Sequence, residues 1–171
     1  DGKLKFVSFS AQRFDANAVN PYTPSAYSWP STFTKEEEEY LTDEIQRLIT
    51  LLDMKTSVFN IEVRVATNNK PYIMELTPRG GGNRLCEMLR YATGVDMITA
   101  ITRAMVGDEP EVIEQKAYNG NWAEIILHAD KDGEFVELQI DPALPAEIVE
   151  EGPWVKPRYF GHGFEASNYA I

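Results

Sequence analysis

Glu62 and Glu75 are the residues whose type and placement best suit chemistry. Residues 58–65 (Val-Phe-Asn-Ile-Glu-Val-Arg-Val) alternate strictly, with Phe59, Ile61, Val63 and Val65 on one side and Asn60, Glu62 and Arg64 on the other. Thr67-Asn68-Asn69-Lys70 has the residue types of a turn, and residues 71–77 supply a partner strand, so the stretch predicts an antiparallel hairpin. Glu75 and Thr77 share one parity on the second strand, and Arg79 continues it. A turn of this length can set Glu62 and Glu75 side by side. Like charges facing each other across strands repel, and two buried carboxylates would raise at least one pKa unless a cation stands between them. A hard divalent ion such as Mg²⁺ resolves the conflict, because it takes oxygen ligands and is usually held by one or two carboxylates plus substrate phosphates. Arg79 could then grip the phosphate.

Beyond the hairpin, Gly80-Gly81-Gly82 leads into a helical pattern. Glycine allows close backbone approach, and amides at a helix start favour an anion. Asn83 and Arg84 add an amide and a guanidinium at the same point. The same residues also suit plainer roles. A Glu on each strand is common on a solvated sheet, here with Arg64 as a cross-strand partner, and a three-glycine run can be a simple connection.

Several elements must position these groups. Residues 4–9 alternate loosely and predict a strand. Residues 10–33, rich in Asn, Pro, Ser and aromatics, predict a long ordered loop in which Tyr22, Tyr27 and Trp29 serve as buried anchors or line a substrate pocket. Thr34 followed by Glu37 has capping-box spacing, and Leu41, Ile45, Leu48, Ile49 and Leu52 form one apolar stripe. Glu36 to Glu39 then fall in the first turn, where the helix dipole favours negative charge. Leu85, Met88, Leu89 and Ala92 predict a helix ending at Gly94. Asp96 caps a second, carrying Ile98, Ile101 and Met105 and stopped by Gly107 and Pro110. Residues 122–129 and 134–140 predict a further hairpin. The expected fold class is α+β: an antiparallel sheet with helices on one face, the other face open, and a small β appendage. The expected division is 1–109 and 110–171.

Composition narrows the function classes. With 171 residues, 43% hydrophobic and 25% charged, the chain can pack a core. A formal charge of −11 argues against nucleic acid. No apolar run is long enough for a membrane span. One cysteine and two histidines exclude a disulfide framework and a cysteine-based zinc site, and a reducing cytosol (a cytoplasmic location) is expected. Cys86 reads as a packing residue, with a lowered thiol pKa at a helix start as the alternative. His128 and His162 read as structural or loop histidines. The opening Asp1-Gly2-Lys3, without Met, and the closing Asn168-Tyr169-Ala170-Ile171 read as an excised piece of a longer protein.

Residues 59–106 resemble the C-terminal subdomain of ATP-grasp enzymes. The family pattern is an acidic residue on one strand, Glu-x-Asn-x-Arg at the end of the next, a helix, and an Ala-Thr-Gly-Val-Asp-like stretch. Here Glu62, Glu75-Leu76-Thr77-Pro78-Arg79 and Ala92-Thr93-Gly94-Val95-Asp96 stand in that order. The resemblance implies an ATP-dependent ligase that activates a small carboxylate as an acylphosphate for attack by an amine or thiol. Its cofactor would be Mg²⁺ or Mn²⁺, with ATP as co-substrate. By the same resemblance, Glu62, Glu75 and Thr77 take the metal positions and Arg79 that of the phosphate-contacting catalytic arginine. Gly81, Gly82, Asn83 and Arg84 are then placed to hold the substrate carboxylate. Thr77 departs from the pattern, which has Asn there, and puts a second metal in doubt. The resemblance also allows a bicarbonate-phosphorylating enzyme, a degenerate non-catalytic binding module, and a homodimer in the full-length protein. The family's adenine-binding residues lie upstream of any residue here, so this stretch alone is expected to bind nucleotide weakly and turn over nothing.

Overall fold

A computed structural model describes residues 2–18, 20–108, 113–128, 133–134, 139–146, 150–152, 159–160 and 165–170. The chain forms two compact units, one comprising residues 1–9 and 31–120 and the other residues 10–30 and 121–171. This division differs from a single cut at 109/110, because residues 10–30 belong with the C-terminal stretch.

The first unit contains the hairpin and all the described helices. Helix α1 (Lys35–Leu51) starts with a complete capping box. Thr34 Oγ1 accepts the Glu37 N–H at 3.2 Å, and Glu37 Oε2 accepts the Thr34 N–H at 2.8 Å. Its buried stripe is Leu41, Ile45 and Ile49, three of the five predicted positions; Leu48 is half-buried, and Leu52, the C-cap, is exposed. The strands are β3 (Asn60–Val65) and β4 (Pro71–Thr77), and α1 packs against β4. Helix α2 (Leu85–Thr93) ends at Gly94, whose φ of 75° is the left-handed cap that glycine adopts without strain. Helix α3 (Met97–Val106) is capped by Asp96, which accepts the Thr99 N–H at 2.9 Å and the Thr99 hydroxyl at 2.9 Å. The Thr99 amide holds the Asp96 carboxyl below the usual carboxylate range. No helix among the described residues is long and apolar enough to cross a membrane.

Residues 4–9 are not a strand. Side chains take up the backbone groups of Leu4, Val7 and Phe9 instead. Gln46 Oε1 accepts the Leu4 N–H and Gln46 Nε2 donates to the Gly2 carbonyl, both at 2.8 Å. Gln115 accepts the Val7 N–H at 3.0 Å and donates to the Val7 carbonyl at 2.9 Å. The Tyr118 hydroxyl bridges the Phe9 N–H and carbonyl. A side-chain amide carries the same donor and acceptor as a peptide, so an extended segment is satisfied without a partner strand.

The second unit is built on an antiparallel sheet in the order β1 (Ala11–Phe14), β2 (Pro24–Trp29), β5 (Trp122–His128), β9 (Glu165–Ala170), β7 (Glu150–Gly152). The segment expected to be a loop thus supplies two strands. Pro24 sits at the first residue of β2, where a missing N–H is tolerated. Tyr27 and Trp29 are the expected buried anchors, but Tyr22 is 73% exposed. The hairpin expected over 122–140 is also corrected. β5 pairs with β2 and β9, while β6 (Gly133–Glu134) pairs with β8 (Tyr159–Phe160). His162 and the His128 side chain lie outside what is described. In class the fold is α+β, with antiparallel sheets and three helices among the described residues.

Candidate functional site

The hairpin register sets Glu62 directly opposite Glu75 and Asn60 opposite Thr77. A break in the register makes this pairing. The loop 66–70 closes with the Ala66 N–H on the Lys70 carbonyl at 3.0 Å, and from it Val65 faces Pro71, Arg64 faces Tyr72 and Val63 faces Ile73. A regular ladder would next set Glu62 against Met74. Instead the register shifts between Glu62 and Val63, so that Met74 is the extra residue of a β-bulge. The one-residue shift turns Glu75 and Thr77 onto the face of Glu62. Met74 itself is 64% exposed, so its side chain does not explain the bulge by packing.

One face therefore carries three rungs: Asn60 with Thr77, Glu62 with Glu75, and Arg64 with Tyr72. Each carboxylate has a local donor. Arg64 Nε donates to Glu62 Oε1 at 2.9 Å, and the Thr77 hydroxyl donates to Glu75 Oε1 at 2.7 Å. Arg64 is thus a partner to the glutamate on its own strand. Among the described residues no group of three or more His, Cys, Asp or Glu side chains gathers around a possible metal position. Among the described residues, a cation here would rest on two carboxylates and their neighbours, the small protein share that suits Mg²⁺ bound together with phosphates.

Arg79 leaves the strand through a tight turn, its N–H donating to the Thr77 carbonyl at 2.8 Å. Its guanidinium donates to the Gly80 carbonyl at 2.7 Å, so it is exposed and held at the mouth of the glycine loop. In that loop the three glycines differ. A Cβ on Gly81 would lie 2.5 Å from Leu85 Cδ1 and 2.9 Å from Asn60 Oδ1, whereas one on Gly82 meets nothing within 4 Å. A side chain at Gly81 would have to displace the Leu85 and Asn60 side chains, whereas Gly82 is open surface. Gly81→Ala should therefore lower stability by about 1–3 kcal/mol through overpacking. Gly82→Ala should leave it unchanged or raise it slightly. Urea titration of the two variants checks this, and equal effects would contradict it.

Asn83 and Arg84 both adopt left-handed backbone, with φ of 49° and 57°. Asn tolerates this conformation better than most residues, and Arg does not. Arg84 is the N-cap of α2 but its side chain makes no capping hydrogen bond. Its Nε lies 3.7 Å from Glu87 Oε1. Cys86 follows in the first turn, where burial pushes the thiol up, Glu87 adds to the rise, and a hydrogen bond with the Gly81 backbone opposes it. This is a packing cysteine rather than an activated one.

Two members of the face escaped the sequence reading as site residues. Asn60 was legible from its parity with Glu62. Tyr72 was not, because its parity is opposite to that of Glu75 and Thr77, and only the bulge lets all three share a face.

No protein-family model matches the chain. Protein y4rH of Sinorhizobium fredii, itself uncharacterized, is 27% identical over 106 residues, covering 62% of this chain and 22% of that protein. Solved structures match more broadly. A phosphoribosylglycinamide synthetase from Anaerococcus prevotii superposes with a TM-score of 0.69 at 18% identity, over 95% of this chain and 46% of its own. An L-amino acid ligase from Bacillus licheniformis gives 0.66 at 15% identity, over 90% and 40%. The biotin carboxylase domain of a Hydrogenobacter thermophilus 2-oxoglutarate carboxylase, in complex with MgADP, ADP and bicarbonate, gives 0.60 at 16%, over 92% and 36%. The chain spans less than half the length of each of these proteins. At such identities the likeness is one of fold, and that fold, covering part of an ATP-grasp domain, is the fold of the ATP-grasp ligases.

Proposed function

We propose that this chain is the metal- and phosphate-binding part of an ATP-dependent ligase that activates a small carboxylate as an acylphosphate for attack by an amine. The observation that carries the reading is the bulge at Met74, which sets Glu62 and Glu75 opposite each other on an exposed face. Like charges at that spacing destabilise a hairpin, and a bulge that creates such a pair is better explained by a ligand than by folding.

Glu62 and Glu75 are the residues that would hold Mg²⁺ or Mn²⁺, with Thr77 orienting Glu75 through its 2.7 Å hydrogen bond. When bound, the ion supplies neutralisation of phosphate charge. Arg79, exposed two residues past Thr77 and bonded to the Gly80 carbonyl, can exchange that bond for a charge-assisted one to a phosphate oxygen. The loop at Gly81 and Gly82, with Asn83 and Arg84, offers backbone and side-chain donors to a carboxylate. Because the chain spans less than half of its structural neighbours, the activity is proposed for the full-length protein. The reducing cytosol, where the free Cys86 would persist, is the compartment proposed with it.

The test is ADP release by the full-length protein with MgATP, a panel of small carboxylates, and hydroxylamine as nucleophile. The expected result is carboxylate-dependent ADP release with formation of the matching hydroxamate. Stimulation by bicarbonate alone would favour the second reading, which rests on the bicarbonate complex among the neighbours. ADP release that no carboxylate stimulates would overturn both.

A further inference from the structure

Positive charge is distributed unevenly over the carboxylate pair. Glu62 receives a guanidinium: Arg64 Nε and Nη2 lie 2.9 and 2.8 Å from the same oxygen, Oε1. Glu75 receives a neutral hydroxyl from Thr77. Arg64 stands on the same face as the pair, opposite Tyr72. Its side chain is 44% exposed and that of Glu62 41%.

We propose that Arg64 is the resident counter-ion of the cation site, neutralising Glu62 before a divalent cation binds and yielding it when one does. The inference rests on the cation reading above and assigns a role to a residue outside it. Two opposed carboxylates without a cation repel across the strands. A guanidinium on one of them reduces that repulsion. An exposed ion pair contributes little and is easily released. Arg64 engages one of the two oxygens that Glu62 can offer an incoming ion, so it competes with the ion chiefly by charge. Cation affinity is thereby held down until phosphates arrive with their own negative charge. Arg64 is a positioning residue, acting through Glu62.

The experiment is a Mn²⁺ titration of the protein by electron paramagnetic resonance, without nucleotide, for wild type, Arg64→Gln, Arg64→Lys and Glu75→Gln. Arg64→Gln should bind Mn²⁺ about fivefold more tightly, the scale of one exposed ion pair. Arg64→Lys should stay near wild type, because contact to a single oxygen needs a charge rather than a planar fork. Glu75→Gln should bind more weakly. If Glu75→Gln weakens binding while Arg64→Gln leaves it unchanged or weakens it, the counter-ion role is overturned and the cation site stands. If Arg64→Lys matches Arg64→Gln, packing rather than charge explains the effect, and the role is again overturned. If Glu75→Gln binds as wild type does, the cation reading itself fails.

Discussion

Replacing Glu75 by Gln in the full-length protein should lower carboxylate-dependent ADP release by about 10²–10³-fold while leaving the fold as stable as before or more so. The two effects have opposite signs, which makes the result diagnostic. Glutamine keeps the shape of the side chain and an oxygen that can accept the Thr77 hydroxyl, now 2.7 Å from Glu75 Oε1. What disappears is one of two charges facing each other across the hairpin. If the pair were only a solvated surface feature, removing a repulsion would help stability slightly and change nothing else. If the pair holds a cation against transferring phosphates, its loss costs transition-state stabilisation. Thr77→Val should give a smaller loss of about tenfold, because the carboxylate remains and only its orientation is freed. Thermal melts beside coupled ADP assays measure both quantities. Retention of ADP release within about threefold by Glu75→Gln would remove Glu75 from the chemistry.

Local signals in this sequence were accurate because the structure reads them locally. Thr34 and Glu37 satisfy each other within one turn, and the Leu41–Ile45–Ile49 stripe follows from helical period alone. Strict alternation over 58–65 produced β3, and turn chemistry at 67–70 produced the loop. The pairing of Glu62 with Glu75 was legible only as an allowance of geometry. No glycine marks the bulge at Met74, so the shift that delivers the pair has no residue-type signature.

Long-range choices were invisible for a different reason. Residues 4–9 alternate as a strand would, yet Gln46, Gln115 and Tyr118 supply their hydrogen bonds from up to 110 positions away. Residues 24–29 begin with Pro and carry two Ser, so composition pointed to a loop. Their pairing with β5, about a hundred residues on, makes them a strand. β5 was assigned to its sequence neighbour, but a strand's partner is decided by which edges are available in the assembled sheet. At the site itself, Arg64 was read as a cross-strand partner. The side chain bonds Glu62 two residues back on its own strand, a choice that rotamers make and alternation cannot show.

The largest stability change expected in the first unit comes from Leu41→Ala, at about 2–5 kcal/mol. Leu41 is 1% exposed, on the face of α1 that it shares with Ile45 and Ile49, and α1 packs on β4, the strand that carries Glu75 and Thr77. The loss has two parts: the transfer free energy of the deleted methyl and methylene groups, and the cavity left among neighbours that relax incompletely. Helix propensity cannot compensate, since Ala exceeds Leu by only a few tenths of a kcal/mol. Leu51→Ala on the same helix is the control. Leu51 is 67% exposed, so the same chemical change there should cost less than about 0.5 kcal/mol. Urea unfolding of the pair separates burial from composition. A loss of several kcal/mol is a large fraction of what holds an ordinary domain together, so Leu41→Ala should also weaken Mn²⁺ binding at a temperature where it is partly unfolded and Leu51→Ala is not. Equal midpoints for the two variants would mean that burial of Leu41 does not contribute to the stability of this unit.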